Sequence, residues 1–490
     1  MPNCDLPRTR RWGCRKLTVR WPLASIALVW IFVAPIHAQS RRAPSARRAA
    51  AAGAPAATPP NVLLIVADDL GYADLGVQGA TDVRTPNIDA VARQGVRFSD
   101  AYMVSSLCAP SRAGMLTGRY PQRWGHEFNP PRSDDSTFGI PRDVPTLAER
   151  LKSLGYRTGL VGKWHLGFVS QQAPNARGFD EFFGFMGPSH RYDRNQLLDV
   201  GEKLMRNGTV IPDSGYLTDV LGIEAERFVR AKDRRPFFLY LAFSAMHGPL
   251  YADPPHLARA EKSVPEGVRR TYVGVLAAMD DAVGRVLDAL DETGQAANTL
   301  VLFVSDNGGD LDLKAASNAP LRGRKGQLYE GGIRVPFFVR WPGHVTAGAT
   351  YTKPISALDI VPTVTAAAGR EPEPGSVDGV NLLPYLSATA GRGEPHASLF
   401  WRIGSASAAR MGQWKLVVTE KGSPALFDLA ADIGERRDVS SANGRVLAGM
   451  QRAYAAWVKE QQPPRWGHDP TEPTLRMRIR RFIAKLFSGK

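Results

Sequence analysis

The clearest pattern in the chain is an uninterrupted apolar run, Val62-Leu63-Leu64-Ile65-Val66-Ala67, that stops at Asp68-Asp69. A run with no polar alternation reads as a strand buried on both faces, as in parallel sheets. Similar runs recur at 237–243 and 299–305, with a shorter one at 335–339. Between them lie stretches with helical spacing. One is 87–94, and another is 272–290. A third, 146–154, follows Pro145, a good first-turn residue, and stops at Gly155. Strands alternating with helices predict an α/β sheet sandwiched by helices. In such sheets ligands bind beyond the carboxyl ends of the strands. Asp68-Asp69 and Asp306-Asn307 both fall at such ends.

The texture changes near residue 375, after Glu371-Pro372-Glu373-Pro374-Gly375. Short strand candidates follow at 397–401, 414–418 and 426–427, then a helix at 450–459 closed by Pro463-Pro464. These predict a smaller C-terminal α+β subdomain over 376–465, beside a main domain over 61–375. The last segment, 466–490, has apolar Leu475, Ile479, Phe482, Ile483 and Leu486 at helical spacing with arginines between. It reads as a basic amphipathic helix, suited to an anionic membrane surface or to docking on its own domain.

Charge sharpens this division. Of the formal +15, residues 1–38 carry +5, residues 39–60 carry +4 and residues 461–490 carry +5, so the remainder is near neutral. A basic stripe on the folded part, as a nucleic-acid enzyme needs, is therefore not expected. Residues 1–38 place Arg8, Arg10, Arg11, Arg15, Lys16 and Arg20 ahead of an uncharged run ending at Ala38. That is the order of an export signal, which points to a periplasmic or secreted protein; the run is also near the length of a retained membrane anchor. Residues 39–60, rich in Arg, Ala and Pro without apolar period, read as a disordered linker.

With the signal set aside, Cys108 is the one cysteine left, since Cys4 and Cys14 precede it. An unpaired thiol in an oxidising compartment is either a buried, inert packing group or a functional one. Asp68, Asp69, Asp306 and Asn307 offer oxygen ligands only. Carboxylates that close need a cation, and a hard one, Ca²⁺ ahead of Mg²⁺. The alternative is that the Asp pair merely caps the next segment.

Cys108-Ala109-Pro110-Ser111-Arg112, continuing through Leu116-Thr117-Gly118-Arg119, resembles the signature of the type I sulfatases. Gly162-Lys163-Trp164-His165-Leu166-Gly167 resembles the second signature of that family, and Ser305-Asp306-Asn307-Gly308 and Asn318-Ala319-Pro320-Leu321-Arg322-Gly323-Arg324-Lys325 resemble further segments. The resemblance covers most of 61–440 and departs from the family at Ile433, where a Pro is usual. It implies an alkaline-phosphatase-like fold. It also implies that Cys108 is converted to Cα-formylglycine (3-oxoalanine) by a formylglycine-generating enzyme, and that one calcium is bound by Asp68, Asp69, Asp306, Asn307 and residue 108. Arg112, Lys163, His165, His247 and Lys325 are implied as active-site groups, and Ser189, His190 and Arg322 as substrate contacts. The lean within the family is toward arylsulfatase A and N-acetylgalactosamine-6-sulfatase-like members.

The chemistry agrees with that set. A sulfate ester repels an incoming anion, so the site must supply positive charge. A hydrated aldehyde offers one hydroxyl for attack at sulfur and keeps a second from which sulfate can be expelled, so a covalent sulfated residue is expected. His126, His256, His344, His396 and His468 read as structural, and Ser105, Ser106 and Ser111 as partners of the local backbone. Two other functions remain open at the level of sequence: a phosphoester hydrolase of the same superfamily, and a non-catalytic binder of sulfated glycans with Cys108 unmodified.

Overall fold

The computed structural model describes residues 58–133, 135–193, 203–213, 215–260, 264–386, 393–420 and 422–466. The segment read as an export signal, residues 39–57 of the expected linker and residues 467–490 of the basic tail lie outside the described residues. In chain order the elements are β1 (Asn61–Ala67), α1 (Pro86–Arg93), β2 (Val96–Phe98), β3 (Ala101–Tyr102), α2 (Cys108–Thr117), α3 (Leu147–Ser153), β4 (Arg157–Lys163), β5 (Glu181–Phe185), β6 (Met205–Arg206), β7 (Thr209–Val210), α4 (Leu217–Val229), β8 (Phe237–Ala242), α5 (Pro254–Ala260), α6 (Val268–Glu292), β9 (Thr299–Ser305), α7 (Glu330–Ile333), β10 (Phe337–Arg340), β11 (Ala349–Tyr351), β12 (Ile355–Ser356), α8 (Ile360–Ala367), α9 (Leu383–Leu386), β13 (Leu399–Ile403), β14 (Ala406–Met411), β15 (Trp414–Val418), β16 (Pro424–Asp428) and α10 (Gly444–Val458).

Ten strands form the main sheet in the order β11-β2-β10-β9-β1-β8-β4-β5-β6-β7. The central strands β9, β1, β8, β4 and β5 are parallel. The apolar run of β1 serves both faces of the sheet. Leu63, Ile65 and Ala67 join one core with residues of α1, α4 and α6, while Val62, Leu64 and Val66 join the other with residues of α2, α3 and α8. This is why the run shows no alternation. The short apolar run near 337 forms β10, which pairs antiparallel with both β9 and β2.

Helix boundaries moved where capping chemistry decided them. α3 begins at Leu147 rather than beside Pro145, because the Thr146 side chain accepts from the Glu149 N–H while Glu149 accepts from the Thr146 N–H. α6 is longer than its periodic stretch, running from Val268 to Glu292.

The C-terminal sheet is four antiparallel strands in sequence order, β13-β14-β15-β16. Its second strand, Ala-Ser-Ala-Ala-Arg-Met, carries no β-branched or aromatic residue and gives no strand signal by itself; pairing with β13 and β15 imposes the conformation. Residues up to Leu386 still pack on the main sheet, since Leu382 and Leu386 belong to its core. Residues 58–60 are held to the domain: the Tyr156 hydroxyl donates to the Pro60 carbonyl at 2.9 Å, and the Asn298 amide to those of Thr58 and Pro59. Among the described residues no helix is long and apolar enough to cross a membrane.

Candidate active site

The site forms where the central strands end. β1 and β9 pair in register up to Ala67 and Ser305, so Asp68-Asp69 and Asp306-Asn307 leave the sheet side by side. Lys163 is the last residue of β4, and His247 follows β8 by one turn of chain. Gly162 precedes Lys163 at φ +114°, and a Cβ there would lie 1.9 Å from the Ala242 carbonyl oxygen, so only glycine lets β4 approach β8 this closely. From the other side α2 points its first residue, Cys108, into the cluster. The Ala109 N–H at its start donates to Asn129 Oδ1 at 3.0 Å, and the helix directs its positive end at the carboxylates.

Asp68, Asp69, Cys108 and Asp306 bring one ligand atom each to within 4.8 Å of one another, all buried. The Cys108 thiol lies 3.5 Å from Asp68 Oδ1 and 3.9 Å from Asp69 Oδ1. Three cationic side chains face the three carboxylates. Lys163 Nζ donates to Asp68 Oδ2 at 2.5 Å, and Lys325 Nζ to Asp69 Oδ2 at 2.6 Å. Arg112 Nε donates to Asp306 Oδ2 at 2.9 Å, and its Nη1 reaches the Tyr240 hydroxyl at 3.2 Å. Asn307 donates to Asp69 Oδ1 at 2.7 Å, while its own Oδ1 is buried with no hydrogen-bond partner.

The electrostatics follow from burial and crowding. Burial pushes the Cys108 thiol well up, and the Asp306 charge adds to that. Asp306 itself is raised to about 6, first by burial and then by Asp68 beside it. At Asp69 burial is outweighed by the positive charges around it, Lys325 first, which hold its carboxyl well below the usual range. Both histidines are kept neutral: His165 by burial and then Lys163, His247, at about 3, by burial and then Lys325. His247 Nδ1 donates to the Gly248 carbonyl at 2.7 Å, which leaves Nε2 as the basic nitrogen, 4.0 Å from Asp69 Oδ2. His165 Nδ1 is buried without a partner. Asp69 and His165 are non-glycine residues with φ near +60°, a conformation that costs roughly 1–3 kcal/mol and concentrates at functional sites.

The residues present fit a hard cation. Every donor but the thiol is an oxygen, one buried amide oxygen is left over, and two ammonium groups hold the carboxylate oxygens a cation would take. Two of the sequence-derived substrate contacts have other protein partners in this structure. His190 lies 3.3 Å from Asp213 and stacks on Phe185, and Ser189 precedes it in the same loop. Arg322 donates to the Glu435 carbonyl and lies over Tyr329. Tyr240, Asn129 and Tyr192 gave no sequence signal. Tyr240 sits within an apolar strand run, and the Tyr192 hydroxyl donates to the Ser244 and His247 carbonyls, fixing the turn that carries His247.

A family model described as Sulfatase matches residues 60–370. This chain belongs to the Sulfatase family. As a family member it is a sulfuric ester hydrolase. It is 37% identical over 388 residues to human N-acetylgalactosamine-6-sulfatase, covering 74% of this chain and 72% of that protein. Bovine arylsulfatase A is 36% identical over 437 residues, covering 78% and 84%. Among solved structures, Ps i-CgsB in complex with k-i-k-neocarrahexaose superposes with a TM-score of 0.79 at 39% identity, covering 87% of this chain and 99% of that one. The phosphonate monoester hydrolase of Agrobacterium radiobacter, at 23% identity and a TM-score of 0.62, shares the alkaline-phosphatase-like fold.

Proposed function

We propose that this sulfatase hydrolyses sulfate esters of sugars, with residue 108 acting as formylglycine and one Ca²⁺ held by Asp68, Asp69, Asp306 and Asn307. The observation that carries the reading is the convergence of Asp68, Asp69, Cys108 and Asp306 on one buried point beneath Lys163 and Lys325. The sugar assignment is supported by relatives named for an acetylgalactosamine sulfate and by the carrageenan-type oligosaccharide bound to a neighbour. Formylglycine supplies, when hydrated, a hydroxyl nucleophile and a second hydroxyl, and calcium supplies a fixed double charge for the sulfate oxygens.

The chain's own groups do the rest. Arg112 binds Asp306 through Nε and Nη2 from full burial, holding that carboxylate in a single orientation. Lys163, at the end of β4, and Lys325, in the loop ahead of α7, present ammonium groups to sulfate oxygens as their charge grows. His247 Nε2 handles the proton of the leaving alcohol. His165, neutral and with a free Nδ1, takes a proton from residue 108 as sulfate departs. The full burial of Arg112 and Lys163 and near-full burial of His165 keep water from weakening their fields, while His247 and Lys325 are partly exposed. Ser189, His190 and Arg322 belong to the same reading as substrate contacts. Export by residues 1–38 and modification by a formylglycine-generating enzyme belong to the same reading.

Peptide mass analysis at residue 108 tests it: active protein shows the aldehyde or its hydrate, whereas a fully alkylatable thiol in active protein overturns it. Matched aryl sulfate and aryl phosphate substrates should give a higher kcat/KM for the sulfate. His247→Ala should slow a sugar sulfate more than nitrophenyl sulfate, because only the former leaves as a basic alkoxide; equal losses would make His247 a binding residue.

A further inference from the structure

A lysine ammonium rides on a long flexible stem, so where it rests depends on how firmly its backbone is held. Lys325 lies in the loop that runs from β9 to α7, and its Nζ donates to Asp69 Oδ2 at 2.6 Å. The main domain ties this loop beside the lysine: the Lys325 N–H donates to the Gly309 carbonyl at 3.2 Å, and the Gly326 N–H to the Ser106 carbonyl at 2.9 Å. The loop also folds back on α7. The Gly331 N–H donates to the Arg322 carbonyl at 2.7 Å, and a Cβ at Gly332 would lie 1.9 Å from the Gln327 carbonyl oxygen. Lys325 therefore sits on a closed lobe bounded by Arg322 and Glu330.

One residue of the C-terminal subdomain grips both boundaries. The Glu435 carbonyl accepts from Arg322 Nη1 at 2.8 Å, and Glu435 Oε2 accepts from the Glu330 N–H at 2.7 Å. Glu435 is fully buried and takes φ +51°, a left-handed conformation that a non-glycine residue keeps only where its surroundings enforce it. Its turn is fixed locally: the Glu435 N–H donates to the Asp432 carbonyl, and Asp432 Oδ2 accepts from the N–H groups of Arg436 and Arg437. Lys415 already joins the C-terminal sheet to Glu330 at 2.7 Å. A second buried carboxylate there, with Oε1 left unpartnered, is costly for stability alone. What it adds is the hold on Arg322 and Glu330.

We propose that Glu435 is a positioning residue for Lys325: from the C-terminal subdomain it clamps both ends of the lobe and keeps the ammonium group at the catalytic centre. This role rests on the reading of Lys325 as a group that binds sulfate oxygens. Misplacing such a group by about 1 Å costs about 10²-fold in rate. The anchors at Gly309 and Ser106 remain without the clamp, so a smaller loss is expected.

The test uses the full-length protein. Glu435→Ala removes the acceptor of the Glu330 N–H, whereas Glu435→Gln keeps one. Well below Tm, Glu435→Ala should lower kcat on nitrophenyl sulfate by about tenfold or more, and Glu435→Gln should stay within about threefold of the parent. If folded Glu435→Ala protein keeps full kcat, Glu435 only stabilises the fold and the proposal is overturned. The loss should also run through the lysine. In a Lys325→Ala background, adding Glu435→Ala should change kcat/KM less than about twofold, and losses that multiply would overturn the clamp. A further readout needs no turnover. In Cys108→Ala protein, acylation of Lys325 by acetic anhydride, followed by peptide mass, should quicken about threefold or more with Glu435→Ala and not with Glu435→Gln, because a displaced lysine exchanges Asp69 for water. Faster acylation together with a fully active Lys325→Ala enzyme would uphold the clamp and overturn the catalytic reading of Lys325. Unchanged acylation together with an inactive Lys325→Ala enzyme would do the opposite. If Glu435→Ala does not fold, Glu435→Asp takes its place, since it keeps the charge beside Lys415 but is one methylene shorter and withdraws from the Glu330 N–H.

Discussion

Two of the buried ionic clusters among the described residues are built to opposite ends. One is the candidate catalytic centre of Asp68, Asp69 and Asp306 with Lys163, Lys325 and Arg112. The other surrounds Glu330, between the main domain and the C-terminal sheet. Glu330 Oε1 accepts from Lys415 Nζ at 2.7 Å, and Oε2 from the Tyr102 hydroxyl at 2.7 Å and Arg334 Nη1 at 3.2 Å. The Glu330 N–H donates to Glu435 Oε2 at 2.7 Å, and Arg410 completes the ring through Tyr102 and Asp100. Here burial opposes ionisation of Glu330, but Lys415, Arg334 and Arg410 overcome it and hold its carboxyl at about 2. Every acceptor of Glu330 is used and nothing is left for a ligand. At the catalytic centre the carboxylates crowd one another, Asp306 is raised, and the Asn307 amide oxygen and His165 Nδ1 have no partner. The Glu330 carboxylate is satisfied by protein groups, though the buried Glu435 Oε1 beside it has no hydrogen-bond partner and lies 3.5 Å from Lys415 Nζ, whereas the other centre crowds three carboxylates on one point and leaves groups over for something that is not protein. The two are coupled through backbone. The Gly308 N–H, next to Asn307, donates to the Gly332 carbonyl in α7, and the Gly331 N–H donates to Arg322, three residues before Lys325.

Substitutions should separate the two clusters, and on a common free-energy scale the largest effect belongs to the nucleophile. Cys108→Ala should lower kcat on nitrophenyl sulfate by about 10⁴-fold or more, the scale of losing a nucleophile, with Tm nearly unchanged. A large fall in Tm would show that the catalytic centre also carries stability. Lys415→Met should do the reverse, costing about 3–5 kcal/mol in denaturant unfolding because it strands a buried Glu330 charge. The protein that remains folded should keep kcat within about tenfold. Pairing it with Glu330→Gln should recover part of the loss in a double-mutant cycle.

Next comes Lys163→Ala, expected to reduce kcat/KM by about 10²-fold. Its stability cost should be larger after chelation than with added Ca²⁺, since a divalent cation can replace the ammonium at Asp68; identical unfolding curves in the two conditions would mean no cation binds there. The smallest effect is a pH slope. Glu435 is raised from 4.5 to about 7, chiefly by burial and, after the opposing Lys415, by Glu330. The folded state then holds a proton that the unfolded state has released, so stability falls as pH rises from 4.5 through about 7. Glu435→Gln should remove this slope, which for one proton is at most about 1.4 kcal/mol per pH unit. Thermal melts at pH 5 and 7 read it out.

The catalytic centre was far more legible in the sequence than the Glu330 cluster. Asp68-Asp69 and Asp306-Asn307 each follow a long apolar run, so strand periodicity alone puts them at sheet ends. Cys108 is conspicuous because the chain beyond the N-terminal basic and apolar segment has no other cysteine. Glu330, Lys415 and Glu435 offer no such mark. They are single charges separated by 85 and 105 positions, and a charged residue in an unaligned sequence reads as solvated surface. Arg322 shows the same limit in another way, since its place in a matching string suggested substrate, while its hydrogen bond to the Glu435 carbonyl and its contact with Tyr329 could not be read from that string.

The sequence by itself determined the α/β class, the central strands and the ligand-bearing strand ends, because hydrophobic periodicity and strand termination are local properties. It also marked Cys108, through composition and the string around it. Only the tertiary structure decided which charges meet. The antiparallel β10, the small-residue strand β14, the pairing of Lys163 with Asp68 and of Lys325 with Asp69, and the neutrality of His165 and His247 all arise from contacts between distant segments. There burial removes water and makes each charge depend on neighbours the chain order does not name.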